Sequence, residues 1–226
     1  MPERGAAARA GRYAPCSSAL RRSGGSLRSR SMSILEGRRV VLRPLAPQDF
    51  PAYSEVRQRN GEWLTRWEPA RLVGQPDPAD SYDAYVARCS ARQRERQLGT
   101  GYGFGVFAGR AFVGEINLSS IQRGAFQSGY VGYWTDEAQA GHGYCPEAVV
   151  VLCRFAFEDL GLHRLQISII PRNHPSRRVV EKLELRNEGI ATRYLQINGR
   201  WEDHVRYAIT SEEWELRGPD LHRQWL

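Results

Sequence analysis

Two glycines, Gly141 and Gly143, enclose a histidine where a strand-like stretch gives way to a helix-like one. The stretch 130–135 is rich in aromatic and β-branched residues, which favour a strand. Downstream, Pro146 suits the first turn of a helix, because the N–H that proline lacks would be unpaired there. A glycine-rich loop in this position directs several backbone N–H groups at one point beside the positive end of a helix dipole. The arrangement predicts an anion site, and a diphosphate is the usual occupant of such a site.

The same two glycines are also compatible with a simple tight turn, so the loop by itself leaves both interpretations open. The chain contains no Gly-x-x-x-x-Gly-Lys-Ser/Thr sequence, and the loop does not fit the pattern Gly-x-Gly-x-x-Gly. The loop therefore differs from the two common nucleotide-phosphate loops.

The order of elements after the loop strengthens the prediction of a phosphate site. The helical pattern ends near Gly161, since glycine can take the left-handed conformation that ends helices. Leu165, Ile167 and Ile169 then alternate as in a strand, and a short second helical pattern follows.

Three motifs in this order resemble the RimJ/RimL branch of the GNAT N-acetyltransferases, which acetylate ribosomal-protein N-termini. They are Ala140-Gly-His-Gly-Tyr-Cys145, Asn173-x-x-Ser176-x-Arg178 and Glu188-Gly189, and the resemblance extends over about residues 35–210. It implies an α/β (α+β) GNAT fold, with a mixed, mostly antiparallel central sheet that is flanked by helices and splayed at the acetyl-CoA site. The implied activity is direct acetyl transfer from acetyl-CoA to an amine, in the cytoplasm and without a covalent enzyme intermediate.

The resemblance also implies which residues bind acetyl-CoA. The diphosphate would be held by the backbone N–H groups of Gly141, His142, Gly143, Tyr144 and Cys145. The pantetheine arm would pair with the strand near Tyr133, Trp134 and Thr135, and Asn173 and Ser176 would complete the site.

Two catalytic roles need side chains. Ser176 is the candidate for protonating or hydrogen bonding the leaving thiolate, although a serine there could instead cap the following helix. Asn173 could likewise be a helix-entry residue. A carboxylate is the expected base for the amine, and the candidates are Glu115 and Asp203. His204 could also titrate near neutrality.

The sequence departs from the family pattern at two positions. Ala140 stands where the family usually has Arg or Gln, which matters little if the loop binds through backbone N–H groups. Glu184 stands where the family normally has glycine in Leu-Gly-Phe. We expect Glu184 to lie in a strained or remodelled turn, because a residue with a Cβ pays about 1 kcal/mol or more at positive φ.

The formal charge of +7 is concentrated in residues 1–31, which carry seven arginines and one acid, Glu3. Their composition predicts a disordered basic extension, before an acetyltransferase domain at 32–216 and a polar tail at 217–226. The extension resembles a transit peptide or an RNA-contacting arm, but we favour a start at Met32. No apolar run is long enough for a membrane span.

Several expectations concern the rest of the chain. Asn198-Gly199 predicts a tight hairpin between two strands. Trp63 and Trp67 could form a lid over the core or contact the acceptor. The arginines near the end of a predicted helix from residue 78 suit a solvated face; they are Arg88, Arg92, Arg94 and Arg96. The four cysteines have neither metal nor disulfide spacing, which fits a reducing cytosol and no metal site.

The sequence does not identify the acceptor, and it is also compatible with two other functions. A protein N-terminus and a small-molecule amine are both compatible with the motifs, and the enzyme could be a monomer or a homodimer. A GNAT-like domain could also bind CoA without transferring acetyl. An RNA- or ribosome-associated protein driven by its arginine-rich segment is the third possibility, and its affinity should fall steeply with salt.

Overall fold

The computed structural model describes residues 34–226 of the chain. The strands are β1 (Leu35–Glu36), β2 (Val40–Arg43), β3 (Tyr102–Ala108), β4 (Ala111–Gln122), β5 (Ser128–Thr135), β6 (Arg164–Ile169), β7 (Arg186–Ile197) and β8 (Arg200–Thr210). The helices are α1 (Phe50–Arg59), α2 (Gly61–Thr65), α3 (Tyr82–Leu98), α4 (Tyr144–Arg154), α5 (His174–Lys182) and α6 (Ser211–Trp225). The predicted basic extension, residues 1–31, lies outside the described residues.

All eight strands form one sheet in the order β1-β2-β3-β4-β5-β6-β8-β7. Every neighbouring pair is antiparallel except β5 and β6, which run parallel. The fold is therefore mixed α/β with a mostly antiparallel sheet flanked by helices, which confirms the predicted fold class.

Two apolar cores lie in the domain. The larger one surrounds α4, in which every residue from Pro146 to Cys153 is buried, and it includes β6 and α6. The smaller one joins α1 and α3 to β3 and β4 through Tyr53, Tyr85 and Phe112. A helix that is apolar on most of its sides must be enclosed by other elements. The burial of residues 146–153 shows that α4 is enclosed in this way.

Local signals in the sequence explain most element boundaries. Ser81 caps α3 by accepting a hydrogen bond from the Ala84 N–H, and Gly99 ends that helix with φ of 69°. Asn198 and Gly199 both have positive φ, 48° and 80°, as the predicted hairpin turn requires. Glu184 has φ of 49°, so the expectation of a left-handed residue at this position is confirmed.

The C-terminal segment differs from the prediction. Residues 217–226 were expected to form a polar tail, but α6 continues through them to Trp225. Leu221 is buried in the larger core, and Trp225 and Leu226 pack against it. Pro219 and Gly218 suggest a break in a helix, yet the capping box of Thr210 and Glu213 starts the helix firmly and apolar contacts stabilise its end.

Candidate functional site

The cleft between β5 and β6 is the main concave feature of the site. The two strands pair at only three positions, from Ser128 with Arg164 to Tyr130 with Gln166, and then diverge. A cleft of about 720 Å³ opens beyond this point, lined by residues 131–135 of β5 and 167–170 at the end of β6. The strand edges facing the cleft have no partner strand in the described sheet, so they can pair with an extended ligand arm.

The glycine-rich loop forms one end of this cleft. Gly141 and Gly143 have φ of 84° and 82°, which glycine adopts without strain. Within residues 34–226, no backbone or side-chain oxygen accepts a hydrogen bond from the N–H groups of Gly141, His142, Gly143, Tyr144 and Cys145. Five free donors at the start of α4 form an anion site of the predicted kind.

A buried acid and an arginine hold this loop against β2. The Glu147 carboxylate is fully buried and accepts hydrogen bonds from the backbone N–H groups of Arg39 and Val40, at 2.5 and 3.0 Å. It also accepts from Arg39 Nε at 2.8 Å. The two Nη atoms of Arg39 donate onward to the carbonyl oxygens of His142 and Gly143, at 2.9 and 3.3 Å. The carbonyls thus point toward Arg39, and the loop N–H groups remain available.

The end of α6 supports the same loop from behind. A Cβ added to Gly143 would lie 3.1 Å from Arg39 Nη2 and 3.6 Å from Trp225 Cζ3. Arg38 donates to the carbonyl oxygens of Arg223 and Gln224, which fastens the C-terminus beside β2. The loop therefore has little space on this side.

Ser176 and Tyr133 meet across the cleft. The Ser176 hydroxyl donates to the Tyr133 hydroxyl at 3.2 Å, and the Tyr133 hydroxyl donates to the Ser176 carbonyl oxygen at 3.0 Å. Burial raises the pKa of Tyr133 well above its usual value, so the phenol stays protonated. Asn173 caps α5, since its Oδ1 accepts from the Ser176 N–H at 3.2 Å. The interpretation of Ser176 as the helix cap is therefore wrong, and the helix-entry interpretation of Asn173 is confirmed.

Glu115 and Trp134 also lie together, but on the α3 side of the sheet. Both Glu115 oxygens accept from Arg88 Nη2, at 2.6 and 2.8 Å, and Oε2 accepts from Trp134 Nε1 at 3.0 Å. Burial lowers the pKa of Arg88, but the Glu115 carboxylate outweighs it and the net pKa is raised. Arg88 is thus a partly buried residue paired with a buried carboxylate, which corrects the prediction that it lies on a solvated face. Glu115 is 4% exposed and does not line the cleft.

The other proposed bases occupy different places. Asp203 Oδ1 accepts from the Arg193 backbone N–H at 2.8 Å, away from the cleft. His204 lines the cleft and is 3% exposed. His142 stacks on Tyr144 in the loop, with ring centroids 5.7 Å apart. Of the three candidates Glu115, Asp203 and His204, only His204 lines the cleft beyond the splayed strands.

Aromatic and basic residues complete the lining. Trp63 and Trp67 form part of the cleft wall, and Trp63 Nε1 donates to the Thr135 carbonyl oxygen at 3.3 Å. Arg178 and Lys182 on α5 add positive charge on the other side of the cleft.

Burial raises the pKa of the Cys145 thiol to about 12, so Cys145 stays protonated and unreactive at neutral pH. In this part of the chain, no group of His, Cys, Asp or Glu side chains is arranged to hold a metal ion.

The splayed sheet and the loop of free N–H groups together match a known domain. The acetyltransferase (GNAT) domain model matches residues 39–186. The chain belongs to the GNAT acetyltransferase family. It is therefore an N-acetyltransferase, and acetyl-CoA is its co-substrate.

Relatives within this GNAT family align with the chain over nearly their whole length. The probable N-acetyltransferase YjcK of Bacillus subtilis is 33% identical over 80% of this chain and 98% of its own. The ribosomal protein uS5-alanine N-acetyltransferase of Escherichia coli is 29% identical over 78% of this chain and 90% of its own. The structure of Mycobacterium smegmatis RimJ in complex with CoA-disulfide superposes with a TM-score of 0.71 at 28% identity, covering 83% and 94% of the two chains. The family resemblance inferred from the motifs is thereby confirmed.

Sequence reasoning missed three parts of the GNAT site. Arg39 and Glu147 are far apart in sequence, so nothing in the local pattern indicates that they hold the loop together. Glu147 reads as an ordinary first-turn acid, and only its burial distinguishes it. The aromatic residue Trp225 could have indicated a packed helix rather than a tail.

Within residues 34–226, no helix has the length and apolar character needed to cross a membrane.

Proposed function

We propose that this enzyme transfers acetyl from acetyl-CoA to the N-terminal α-amine of a ribosomal protein, directly and without a covalent enzyme intermediate. The observation that carries the proposal is the cleft, which offers five free backbone N–H groups at one end and an aromatic wall at the other. The named activity of the Escherichia coli relative, a uS5-alanine N-acetyltransferase, indicates the acceptor class. A ribosomal acceptor would place the reaction in the cytoplasm.

In this proposal the diphosphate of acetyl-CoA binds the N–H groups of residues 141–145. The helix dipole of α4 favours negative charge at that end. Arg178 and Lys182 contribute attraction for further phosphate charge. Asn173 acts by fixing the start of α5, which places Ser176 opposite Tyr133.

The pantetheine arm would add to the free edge of β5 as an extended strand. This pairing brings the thioester to the backbone of residues 133–135, where an N–H group can stabilise negative charge on the carbonyl oxygen. Alignment of this kind can lower the barrier by several kcal/mol, up to about 7–11 kcal/mol.

The acceptor amine would enter from the side lined by Trp63 and Trp67. The amine nitrogen attacks the thioester carbonyl carbon, the C–N bond forms and the C–S bond breaks. Ser176 supplies a proton or a hydrogen bond to the departing sulfur, and Tyr133 holds the serine hydroxyl in place. No step requires an enzyme nucleophile, which agrees with the protonated state of Cys145.

Glu115 and Asp203 were the sequence-based carboxylate candidates for the base, and we propose a different role for Glu115. Its carboxylate accepts hydrogen bonds from Arg88 and Trp134 Nε1 and does not line the cleft, so it is poorly placed to receive a proton from an amine there. We assign Glu115 to the orientation of Trp134, a residue of the cleft wall.

The test is an acetyl-transfer screen with [14C]acetyl-CoA. Peptides carrying the N-termini of ribosomal proteins, with alanine-first sequences among them, are compared with matched peptides blocked at the α-amine and with small-molecule amines. The proposal expects label on the free α-amine alone, located by mass spectrometry. Label on lysine side chains or on small amines, with none on α-amines, would overturn the acceptor assignment.

A further inference from the structure

Direct transfer leaves one task without an evident side chain, which is removal of the proton from the attacking amine. The described residues place a single carboxylate on the cleft lining, and it is paired with an arginine. Glu68 is the one acid lining the cleft in the described part of the chain, and both its oxygens accept from Arg57, at 2.7 Å each. Glu115 and Asp203 lie outside the cleft lining. A carboxylate base at the cleft would therefore have to act while it is paired with Arg57.

His204 occupies the position that the chemistry requires. It lies on β8 between Asp203 and Val205, and Val205 pairs with Ile169 at the end of β6, where the sheet splays. The ring is buried, yet it forms part of the cleft lining. The imidazole thus borders the cleft on the β6–β8 side of the divergence between β5 and β6.

The hydrogen bond on the other ring nitrogen sets the tautomer. Nδ1 lies 3.0 Å from the carbonyl oxygen of Glu202, and a carbonyl oxygen can only accept. The neutral ring therefore carries its proton on Nδ1, which leaves the lone pair on Nε2. Nε2 has no hydrogen-bond partner among residues 34–226. The edge of Tyr194, at 5.7 Å between centroids and an angle of 70°, keeps the ring in this plane.

Several charged or ionisable side chains surround His204. The Arg172 guanidinium binds the Glu202 carboxylate and lowers its pKa, so Glu202 stays ionised. Burial raises the pKa of Tyr194, so its phenol stays neutral. Arg206 lies on the same strand, and His174 lines the cleft from α5.

We infer that His204 is the general base, and that its Nε2 accepts the proton of the acceptor amine as the amine attacks acetyl-CoA. This inference rests on the proposed acetyl transfer. The acceptor enters as the neutral amine, having given its first proton to water. As the C–N bond forms, the second amine proton passes to Nε2 and the electron pair of the C–S bond goes to sulfur. Sulfur takes the proton of the Ser176 hydroxyl, and water then restores the proton of the serine. The imidazolium then returns its proton to water.

The first test compares His204→Gln with the matched control His163→Gln, whose ring is half exposed and pairs with Glu212 away from the cleft. Rates are measured against pH with whichever amine the parent enzyme acetylates. The parent should lose kcat/KM for the acceptor on the acidic side, where the base is protonated. His204→Gln should lower kcat by about 10²–10⁴-fold and remove this acidic limb, while the Kd for CoA and the melting temperature stay within error. His163→Gln should match the parent.

Added imidazole supplies a second readout that a merely structural role would not give. We expect it to restore part of the activity of His204→Ala and none of that of Ser176→Ala. An unchanged acidic limb in His204→Gln overturns the inference, and so does an acidic limb that disappears in His174→Gln instead.

One measurement separates this inference from the choice of acceptor. Ring 15N NMR of the parent enzyme, assigned with the His204→Gln variant, reports the tautomer without any turnover. We expect the neutral His204 ring to be protonated at Nδ1. A ring protonated at Nε2 overturns the inference even if peptides are acetylated, whereas an Nδ1 proton supports it even if the acceptor proves to be a small amine.

Discussion

The hydroxyl groups of Tyr133 and Ser176 lie 3.2 Å apart, although 43 residues separate them in the chain. Tyr133 belongs to β5 and Ser176 to the first turn of α5, so this contact joins the two walls of the splayed cleft. The contact is possible because Asn173 caps α5 and leaves the serine side chain free. The leaving sulfur of CoA would meet this pair of hydroxyls.

The first prediction concerns these two hydroxyls. Ser176→Ala should lower kcat by about 10- to 1,000-fold and change the KM for acetyl-CoA much less, because the lost interaction acts mainly on the departing sulfur. Tyr133→Phe should lower kcat in the same direction by a smaller factor. Steady-state rates of both variants and of the double variant check this, and the combined loss should be less than the product of the single losses.

Asn173→Ala is the matched control for this prediction. It removes the cap of α5 and should cost about 0.5–2 kcal/mol of stability, which denaturant melts measure. Its effect on kcat should be smaller than that of Ser176→Ala. If Ser176→Ala turns over normally, the thiolate takes its proton from water.

The second prediction concerns Gly143. Gly143→Val places a branched side chain at a φ of 82°, on the side of the loop where Arg39 and Trp225 leave little space, so the loop should change its conformation. CoA binding should weaken at least about 100-fold while the circular dichroism spectrum of the fold is kept. Gly109→Val is the control, since Gly109 also has positive φ but lies in the β3–β4 turn with open space around it. Calorimetric titration of CoA into the control should give the parent affinity; equal losses in both variants would contradict a role for the loop.

Local motifs identified the diphosphate loop because its chemistry is local. Gly141 and Gly143 act through backbone conformation and a helix start, and both are visible in six consecutive residues. The hairpin at Asn198 and the left-handed turn at Glu184 were predictable for the same reason. The family resemblance supplied the mostly antiparallel, splayed sheet and the choice of Ser176 as a candidate.

The contacts that sequence reasoning could not provide all join distant segments. Glu115 looked like a base because a charge inside a strand is unusual, but its partner Arg88 comes from α3, which packs on the same face of the sheet. The arginines of that helix have ordinary helix-end spacing, so their pattern gives no sign of which one is buried. The prediction of a polar tail at residues 217–226 failed for the same reason. Leu221 is buried against residues from distant parts of the chain, and the local sequence does not indicate those contacts.

The third prediction concerns Glu184. Its φ of 49° costs about 1 kcal/mol for a residue with a Cβ. Arg217 of α6 offsets part of this, because its guanidinium donates to the carbonyl oxygens of Leu183 and Glu184, at 2.8 and 3.0 Å. Those two bonds are to the backbone and survive in Glu184→Gly. The free energy of unfolding should therefore rise by up to about 1 kcal/mol in denaturant melts.

Arg217→Ala is the companion variant for this turn. It removes both backbone contacts, so it should destabilise the enzyme by about 1–2 kcal/mol. Clear destabilisation by Glu184→Gly would show that the exposed Glu184–Arg217 ion pair outweighs the backbone strain.

The fourth prediction concerns Glu147, which connects β2 to the diphosphate loop. Its buried carboxylate accepts from two backbone N–H groups and from Arg39 Nε. Glu147→Gln keeps the shape but replaces one accepting oxygen by an amide NH2, which then faces an N–H donor. The change should lower the free energy of unfolding by about 3 kcal/mol, since one partner of a buried pair is removed. It should also weaken CoA binding, because Arg39 no longer holds the loop carbonyls.

Arg39→Met separates the two effects of this pair. It keeps both backbone donors to Glu147, so the loss of stability should be clearly smaller than in Glu147→Gln. It removes the bonds from the guanidinium to the carbonyl oxygens of His142 and Gly143, so the Kd for CoA should rise about 10-fold or more. Denaturant melts and calorimetry at a temperature where both variants are folded provide the comparison. If Arg39→Met binds CoA like the parent, the loop keeps its conformation without the arginine, and the support comes from Glu147 and α6 alone.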